Sequence, residues 1–321
     1  MAEVQQPAQA QNPEAAREAA TEAKQNSLSL DDYFEMQEPP VIEMAAFFER
    51  EQNEERYLEE CRKVAFSFHK FGICVVRDPR VQHSDNDEYI DMVESYFEKV
   101  SKVYYETGEL PDSRPELSWQ VGVTPESVER ARDHEAIAMG LPESDKPLTM
   151  YPREYDAKWR FFWPIGERPE AVRNDLPKVI PESMPQWEEK MDSWGNHMIN
   201  ACTTAAQMVA VGMGLPENTF SDRMEKGHHL LAPTASDLMK YDVGTAFAGF
   251  HYDLNFITIH GKSRYPGLFL WTREWKKMAV KIPDGCLLMQ AGIMLEWITG
   301  GYIVAGFHEV MYTEQTKRVR D

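Results

Sequence analysis

The residues best suited to bind a metal or take part in a reaction form a short motif, His251-Tyr252-Asp253, at the start of a strand-like run. Side chains two positions apart in an extended chain project to the same face, so this imidazole and this carboxylate point together. His308, which follows a later strand-like run, offers a third ligand. Two imidazoles and one carboxylate on one face of a metal are the ligand set of non-haem Fe(II) sites, where the open positions admit small molecules.

Taken alone, a His-x-Asp motif is weak evidence for a metal site. A surface histidine beside an aspartate on an ordinary strand produces the same pattern, and that alternative stays open on these residues by themselves. The metal interpretation therefore depends on whether the surrounding sequence supplies a framework that brings His308 to His251 and Asp253.

The sequence pattern of the C-terminal part of the chain is typical of a β-rich domain. From about residue 237, short apolar runs alternate with Gly, Pro and Asp, which indicates an antiparallel sandwich or barrel. The predicted strands are residues 256–260, 267–271, 278–282, 286–290 and 302–305. Before them, apolar residues recur every three or four positions, and this spacing predicts helices at 87–106 and 187–213.

The net charge and the composition of the chain exclude some classes of binding partner. The chain has 34 basic and 53 acidic residues, a net charge of −19, which would repel both nucleic acid and anionic membranes. No apolar run approaches the roughly 20 residues needed to span a bilayer. The four cysteines are widely spaced and predict free thiols in a reducing compartment. We therefore expect a cytoplasmic protein whose partner is a small-molecule substrate.

The order of motifs resembles the isopenicillin N synthase-like branch of the Fe(II)/2-oxoglutarate-dependent oxygenases. The matching segments are residues 215–220, 238–241, 251–253, 267–270, 290–301 and 308–310. The resemblance implies a mixed α and β fold with a double-stranded β-helix (jelly-roll) core and flanking helices. It implies that His251, Asp253 and His308 bind iron and that Tyr241 contacts the co-substrate.

On this basis the chain is expected to divide into three parts. Residues 1–27, rich in Ala, Gln and Glu, are predicted to be a disordered tail. Residues 28–185 are predicted to be a mixed α/β supporting region. Residues 186–321 are predicted to form the long helix and the jelly-roll oxygenase domain.

Two departures from the family pattern affect these expectations. The family holds the co-substrate carboxylate with an Arg-x-Ser pair about ten residues after the second histidine. Arg318 stands at that position, but Arg320 stands where the serine would be, and the surrounding residues read as a polar helix rather than a strand. Either Arg318 is the clamp with a changed partner, or the true Arg-x-Ser pair lies beyond residue 321. We favour the second alternative and expect the jelly roll to lack its C-terminal strand. The second departure is Glu309, where the family has arginine.

The expected cofactors are Fe(II) and 2-oxoglutarate as co-substrate, with ascorbate as a further candidate. The expected reaction couples decarboxylation of 2-oxoglutarate to hydroxylation, desaturation or cyclisation of a small organic substrate. Two alternatives remain at this stage. One is an Fe(II) oxidase of the isopenicillin N synthase type that needs no 2-oxoglutarate, and the other is a jelly-roll binding protein with little turnover.

Overall fold

The structure is a computed structural model that describes residues 36–168 and 176–321. The predicted tail at residues 1–27 lies outside the described residues. Described residues from Pro39 to Asp321 belong to one compact unit. The proposed boundary near residue 185 stays a prediction.

The described residues contain eight α-helices and twelve strands. The helices are α1 Ala45–Phe48, α2 Glu54–Phe71, α3 His83–Thr107, α4 Glu135–Gly140, α5 Trp187–Gly212, α6 Asn218–Ser221, α7 Ile293–Ile298 and α8 Glu314–Arg320. The strands are β1 Val41–Glu43, β2 Ile73–Arg77, β3 Gly122–Thr124, β4 Trp159–Pro164, β5 Leu230–Leu231, β6 Thr234–Ala235, β7 Ala246–His251, β8 Ile257–His260, β9 Leu268–Trp271, β10 Lys277–Ala279, β11 Leu287–Ala291 and β12 His308–Met311.

Two four-stranded sheets carry the residues of interest. The first sheet has the order β1-β2-β11-β8, and the second has the order β10-β9-β12-β7. Only the β1–β2 pair is parallel. Strands β7 and β8 are each at an edge of their own sheet, and the chain passes from the second sheet to the first between them. A third sheet joins β3, β4 and β5, with β6 also paired to β4.

The main hydrophobic core lies between the first sheet and the long helices. Leu287, Met289 and Ala291 alternate along β11 into this core, together with apolar residues of α2 and α5. Gly72 ends α2 in the left-handed conformation, with φ of 66°, which lets the chain turn directly into β2. The helices predicted at 87–106 and 187–213 are confirmed as α3 and α5.

The prediction of a strand at residues 302–305 is wrong. This segment is irregular, because two of its backbone N–H groups bond to side chains of the preceding helical region rather than to a neighbouring strand. Ile303 N donates to Thr299 Oγ1 at 3.1 Å, and Ala305 N donates to Glu296 Oε2 at 2.6 Å. The polar segment before the chain end is a helix, α8, as its composition indicated.

A segment that we call the strap, residues 145–157, crosses the second sheet from one edge strand to the other. At its beginning, Asp145 accepts a hydrogen bond from the backbone N–H of Lys277 on β10, at 3.0 Å. At its end, Ala157 N donates to Ala246 O on β7, at 3.1 Å. The strap therefore ties together the two edges of the sheet that contains both candidate histidine ligands.

Glu309, on β12, anchors the middle of the strap. Its carboxylate is fully buried and accepts hydrogen bonds from Leu148 N, Thr149 N and Thr149 Oγ1 at 2.7–3.0 Å. It also pairs with Lys277 Nζ at 2.8 Å. Thr149 Oγ1 in turn accepts a hydrogen bond from Phe250 N on β7, at 2.8 Å. The residue that departs from the family pattern is thus a structural anchor.

No helix in residues 36–168 or 176–321 combines the length and the apolar character that crossing a bilayer requires. Cys61, Cys74, Cys202 and Cys286 are all free and buried, in agreement with the thiol interpretation.

We predict that Glu309→Ala lowers the free energy of unfolding by about 3–5 kcal/mol, because the half-buried Lys277 loses its counter-charge and the strap donors lose their acceptor. The double variant Glu309→Leu/Lys277→Met should recover part of this loss, since no charge is then left unpaired. Guanidinium unfolding measures both. The exposed pair Glu88–Lys190 provides the control, and Glu88→Ala should cost less than about 1 kcal/mol. Equal losses for Glu309→Ala and Glu88→Ala would contradict the anchoring role.

Candidate metal centre

The two candidate histidine ligands face each other across neighbouring strands. His251 is the last residue of β7, His308 is the first residue of β12, and the antiparallel register pairs them directly. Their ring centroids lie 4.2 Å apart. Asp253 follows two residues after His251, beyond the end of β7, in the connection to β8. The sequence argument from strand alternation therefore placed the carboxylate near the imidazole, although Asp253 itself lies outside the strand.

The geometry of the three groups fits one metal ion. One ligand atom from each of His251, Asp253 and His308 lies within 4.8 Å of the others. His251 Nε2 and Asp253 Oδ1 are 3.6 Å apart. Two donors at about 2.1 Å from a common ion are separated by roughly 3.0–3.6 Å, depending on the angle between them. The observed spacing is thus compatible with a shared ion and too long for a direct hydrogen bond.

Neighbouring groups hold each ligand so that its metal-binding atom is left available. The Nδ1 atom of His251 is 2.5 Å from Gly249 O, and that of His308 is 2.8 Å from Gly306 O, so each Nδ1–H donates to a backbone carbonyl. Each Nε2 then carries the lone pair. Thr258 Oγ1, on β8, donates to Asp253 Oδ2. The second sheet supplies the two histidines, and the first sheet orients the carboxylate.

The electrostatics also suit a divalent cation. Burial, followed by the adjacent His308 imidazole, lowers the pKa of His251 to about 3, so this ring is neutral at neutral pH. Burial alone would raise the pKa of Asp253, but the two imidazoles and the Thr258 hydroxyl hold it below its usual value. A deprotonated carboxylate and a neutral imidazole are the protonation states in which these side chains bind metals.

An irregularity in β7 adjusts the position of His251. The β7–β12 register shifts between the His308 and Val310 pairs, which places an extra residue in β7 beside His251. Side chains of the strap bond the amides there, and Asp156 Oδ1 accepts from Gly249 N at 3.0 Å. A Cβ at Gly249 would lie 2.2 Å from the Arg153 guanidinium, so a larger residue there would require this arginine to shift. The strap therefore sets the backbone geometry directly before the first ligand.

Tyr241, the predicted co-substrate contact, donates its hydroxyl to Glu126. Glu126 also accepts from Tyr105 Oη and Lys240 Nζ. Burial, together with the bond to Glu126, raises the pKa of Tyr241. Residues 238–240 form a turn, in which Asp237 accepts hydrogen bonds from Met239 N through its carboxylate and from Lys240 N through its backbone carbonyl. The structure therefore brings Tyr241 to Glu126.

Arg318, the predicted carboxylate clamp, is exposed on α8. Within the described parts of the chain, its guanidinium makes no hydrogen bond or ion pair. Arg320, two residues later, is instead engaged, and its Nη1 donates to Leu238 O and Tyr312 Oη at 2.8 Å. Of the five residues predicted for the site, the structure thus brings together the three predicted metal ligands, His251, Asp253 and His308.

Sequence reasoning missed Thr258 and the strap. Thr258 carries one available signal, because it follows Asp253 in the next predicted strand and alternates with the apolar residues 257 and 259. The contact between Thr149 and Glu309 spans 160 positions and leaves no local pattern.

The comparisons with known proteins give the fold of this chain. No known protein-family model and no curated protein sequence matches it. Solved structures do match. A Caulobacter crescentus protein described as a 2OG-Fe(II) oxygenase family member has a TM-score of 0.64 at 19% identity, covering 87% of this chain and 82% of that chain.

Two further structures are similar. A full-length Neurospora crassa protein in complex with alpha-KG has a TM-score of 0.64 at 18% identity, covering 87% of this chain and 81% of that chain. JOX2 in complex with 2OG, Fe and JA has a TM-score of 0.58 at 14% identity, covering 92% of this chain and 78% of that chain. At such low identities these likenesses show a shared mixed α and β fold.

We predict that Thr258→Val weakens binding of Co(II), a stand-in for Fe(II), by about 10- to 100-fold, because Asp253 loses the partner that orients it. Asp253→Ala should abolish measurable binding. Isothermal titration calorimetry measures both. The matched control is Thr219→Val, since the exposed Thr219 hydroxyl bonds only to Pro216 O. Unchanged Co(II) affinity in Thr258→Val would show that the hydroxyl does not support the ligand.

Proposed function

We propose that this chain is a non-haem Fe(II)-dependent oxygenase that uses 2-oxoglutarate as co-substrate to oxidise a small organic molecule. The observation that carries the proposal is the convergence of His251, Asp253 and His308, with their ligand atoms within 4.8 Å. Two imidazoles and one carboxylate match the facial ligand set of such iron sites. The fold shared with 2OG-Fe(II) oxygenase structures adds support at the level of architecture.

We further propose that the two four-stranded sheets correspond to the two halves of a double-stranded β-helix. The support is that both sheets contribute to one site, since β7 and β12 carry histidines while Thr258 of β8 orients the aspartate. Within the described residues, β8 is paired only with β11. This free edge agrees with a jelly roll that lacks one strand.

The protein groups have distinct tasks in this proposal. His251, His308 and Asp253 would hold the ion through one face and leave the remaining positions to exchangeable molecules. The carbonyl oxygens of Gly249 and Gly306 fix the two rings, and they favour the tautomer with a free Nε2. When bound, ferrous iron would let dioxygen oxidise both 2-oxoglutarate, to succinate and CO2, and the organic substrate.

Tyr241 and Arg318 remain our candidates for contacts with the 2-oxoglutarate carboxylates. Arg318 has its charge available, because no described residue pairs with it. An arginine can hold a carboxylate with two parallel hydrogen bonds. Tyr241 would have to exchange its bond to Glu126 for one to the co-substrate.

A second candidate function is an Fe(II) oxidase that needs no 2-oxoglutarate. It is favoured by the same two residues, because Tyr241 already has a partner and Arg318 is exposed. Both functions need the same metal ligands, so binding of the co-substrate separates them.

We predict that anaerobic addition of Fe(II) and 2-oxoglutarate gives the weak visible charge-transfer band of an iron-bound keto acid. Asp253→Ala should remove the band, because the ion loses its charged ligand. His228→Ala, which removes a histidine outside the site, should leave it unchanged. Absorption spectroscopy under argon measures all three.

The outcomes separate the candidate functions. Fe(II) binding without a band, whether or not 2-oxoglutarate is added, would favour the oxidase. Binding of neither would leave only a binding protein with a jelly-roll-like architecture.

A further inference from the structure

One buried polar group near the metal centre has no hydrogen-bond partner in the described structure. Gln290, on β11, is 3% exposed, and its Oε1 atom is buried and unpaired. Native proteins satisfy most buried polar atoms, because a missing hydrogen bond costs stability. An unpaired carbonyl oxygen at this depth therefore points to a partner that the chain itself does not provide.

The position of Gln290 directs its side chain toward the metal centre. Its neighbours Met289 and Ala291 pack into the main core on the helix side of the first sheet. Successive side chains of a strand alternate, so Gln290 faces away from the helices. It is the direct cross-strand partner of Thr258, whose hydroxyl donates to Asp253. Cβ atoms of such pairs lie about 4.5–5.5 Å apart, so the amide is close to a ligand-supporting group.

His260 extends the same polar face. It lies two residues after Thr258 on β8, so both side chains project to one side of the first sheet. Burial lowers the pKa of His260, and its Nδ1 lies 3.2 Å from Gly261 O. Gln290, Thr258 and His260 thus project from the face of the first sheet that supplies the hydroxyl bound to Asp253, whereas the opposite face packs into the apolar core.

We propose that Gln290 Oε1 accepts a hydrogen bond from an N–H or O–H group of the molecule that is oxidised at the metal centre. The substrate class is then a small organic molecule with a hydrogen-bond donor, such as an amide, an imide or an alcohol. Purely apolar molecules and those with blocked donors are rejected, because they leave the buried carbonyl unpaired. The claim that the bound molecule is oxidised rests on the proposed function, whereas the claim that Gln290 binds it does not.

The test compares succinimide, which has an N–H donor, with N-methylsuccinimide, which has none. Ligand-detected NMR measures the dissociation constant of each for the Zn(II)-loaded protein with 2-oxoglutarate. Wild type should bind succinimide roughly tenfold more tightly than its methylated partner. Gln290→Met, which keeps the volume and removes the acceptor, should reduce this ratio to about one. Gln207→Met should keep the wild-type ratio, because Gln207 bonds to Asn218 on the outer side of α5.

The melting temperature gives an independent readout. Gln290→Met should melt no lower than wild type, since the substitution removes an unsatisfied polar atom and breaks no internal bond. A clear drop would show that Gln290 has an internal partner and would overturn the proposal. Gln290→Asn, which keeps an amide but shortens the side chain, should retain part of the discrimination.

Failure of this inference can be told apart from failure of the proposed function. A charge-transfer band with a wild-type ratio near one, or with neither imide bound, overturns the role of Gln290 alone. A Gln290-dependent ratio without the band keeps the binding role and overturns the 2-oxoglutarate reaction. Discrimination that survives in Gln290→Met also overturns the role of Gln290.

Discussion

The pairing of His251 with His308 across β7 and β12 is the constraint on which the rest of the centre depends. It brings two imidazoles from distant parts of the sequence to a centroid separation of 4.2 Å. The pairing holds only in one register, because a slip of one residue would turn either ring to the opposite face of the sheet. The irregularity in β7 and the glycine at position 249 are therefore part of the site, although neither touches a metal-binding atom.

Two layers of polar contacts surround this pairing. The inner layer consists of backbone carbonyls and the Thr258 hydroxyl, which fix the tautomers and the carboxylate. The outer layer is the strap, which the buried Glu309 of β12 holds through the amides of Leu148 and Thr149. A buried charge is tolerated there because a lysine and three donors satisfy it.

The sequence was informative where the physical cause is local. Alternation predicted that His251 and Asp253 lie together, and helical periodicity predicted α3 and α5. It failed at residues 302–305, where Ile303 and Ala305 are buried but their N–H groups bond to side chains. The role of Glu309 could not be predicted, because its partners lie far away in the sequence. Periodicity reports which face is buried, and it does not report which distant segment covers that face.

The strap also has a consequence for how the site comes into being. Its side-chain bonds to β7 and β12 join residues 93 to 161 positions apart. Closing such long loops costs chain entropy before any contact rewards it, which slows folding. The ligand geometry is thus a late product of the complete tertiary structure. A peptide that carried only the His-Tyr-Asp segment would have no means of reproducing it.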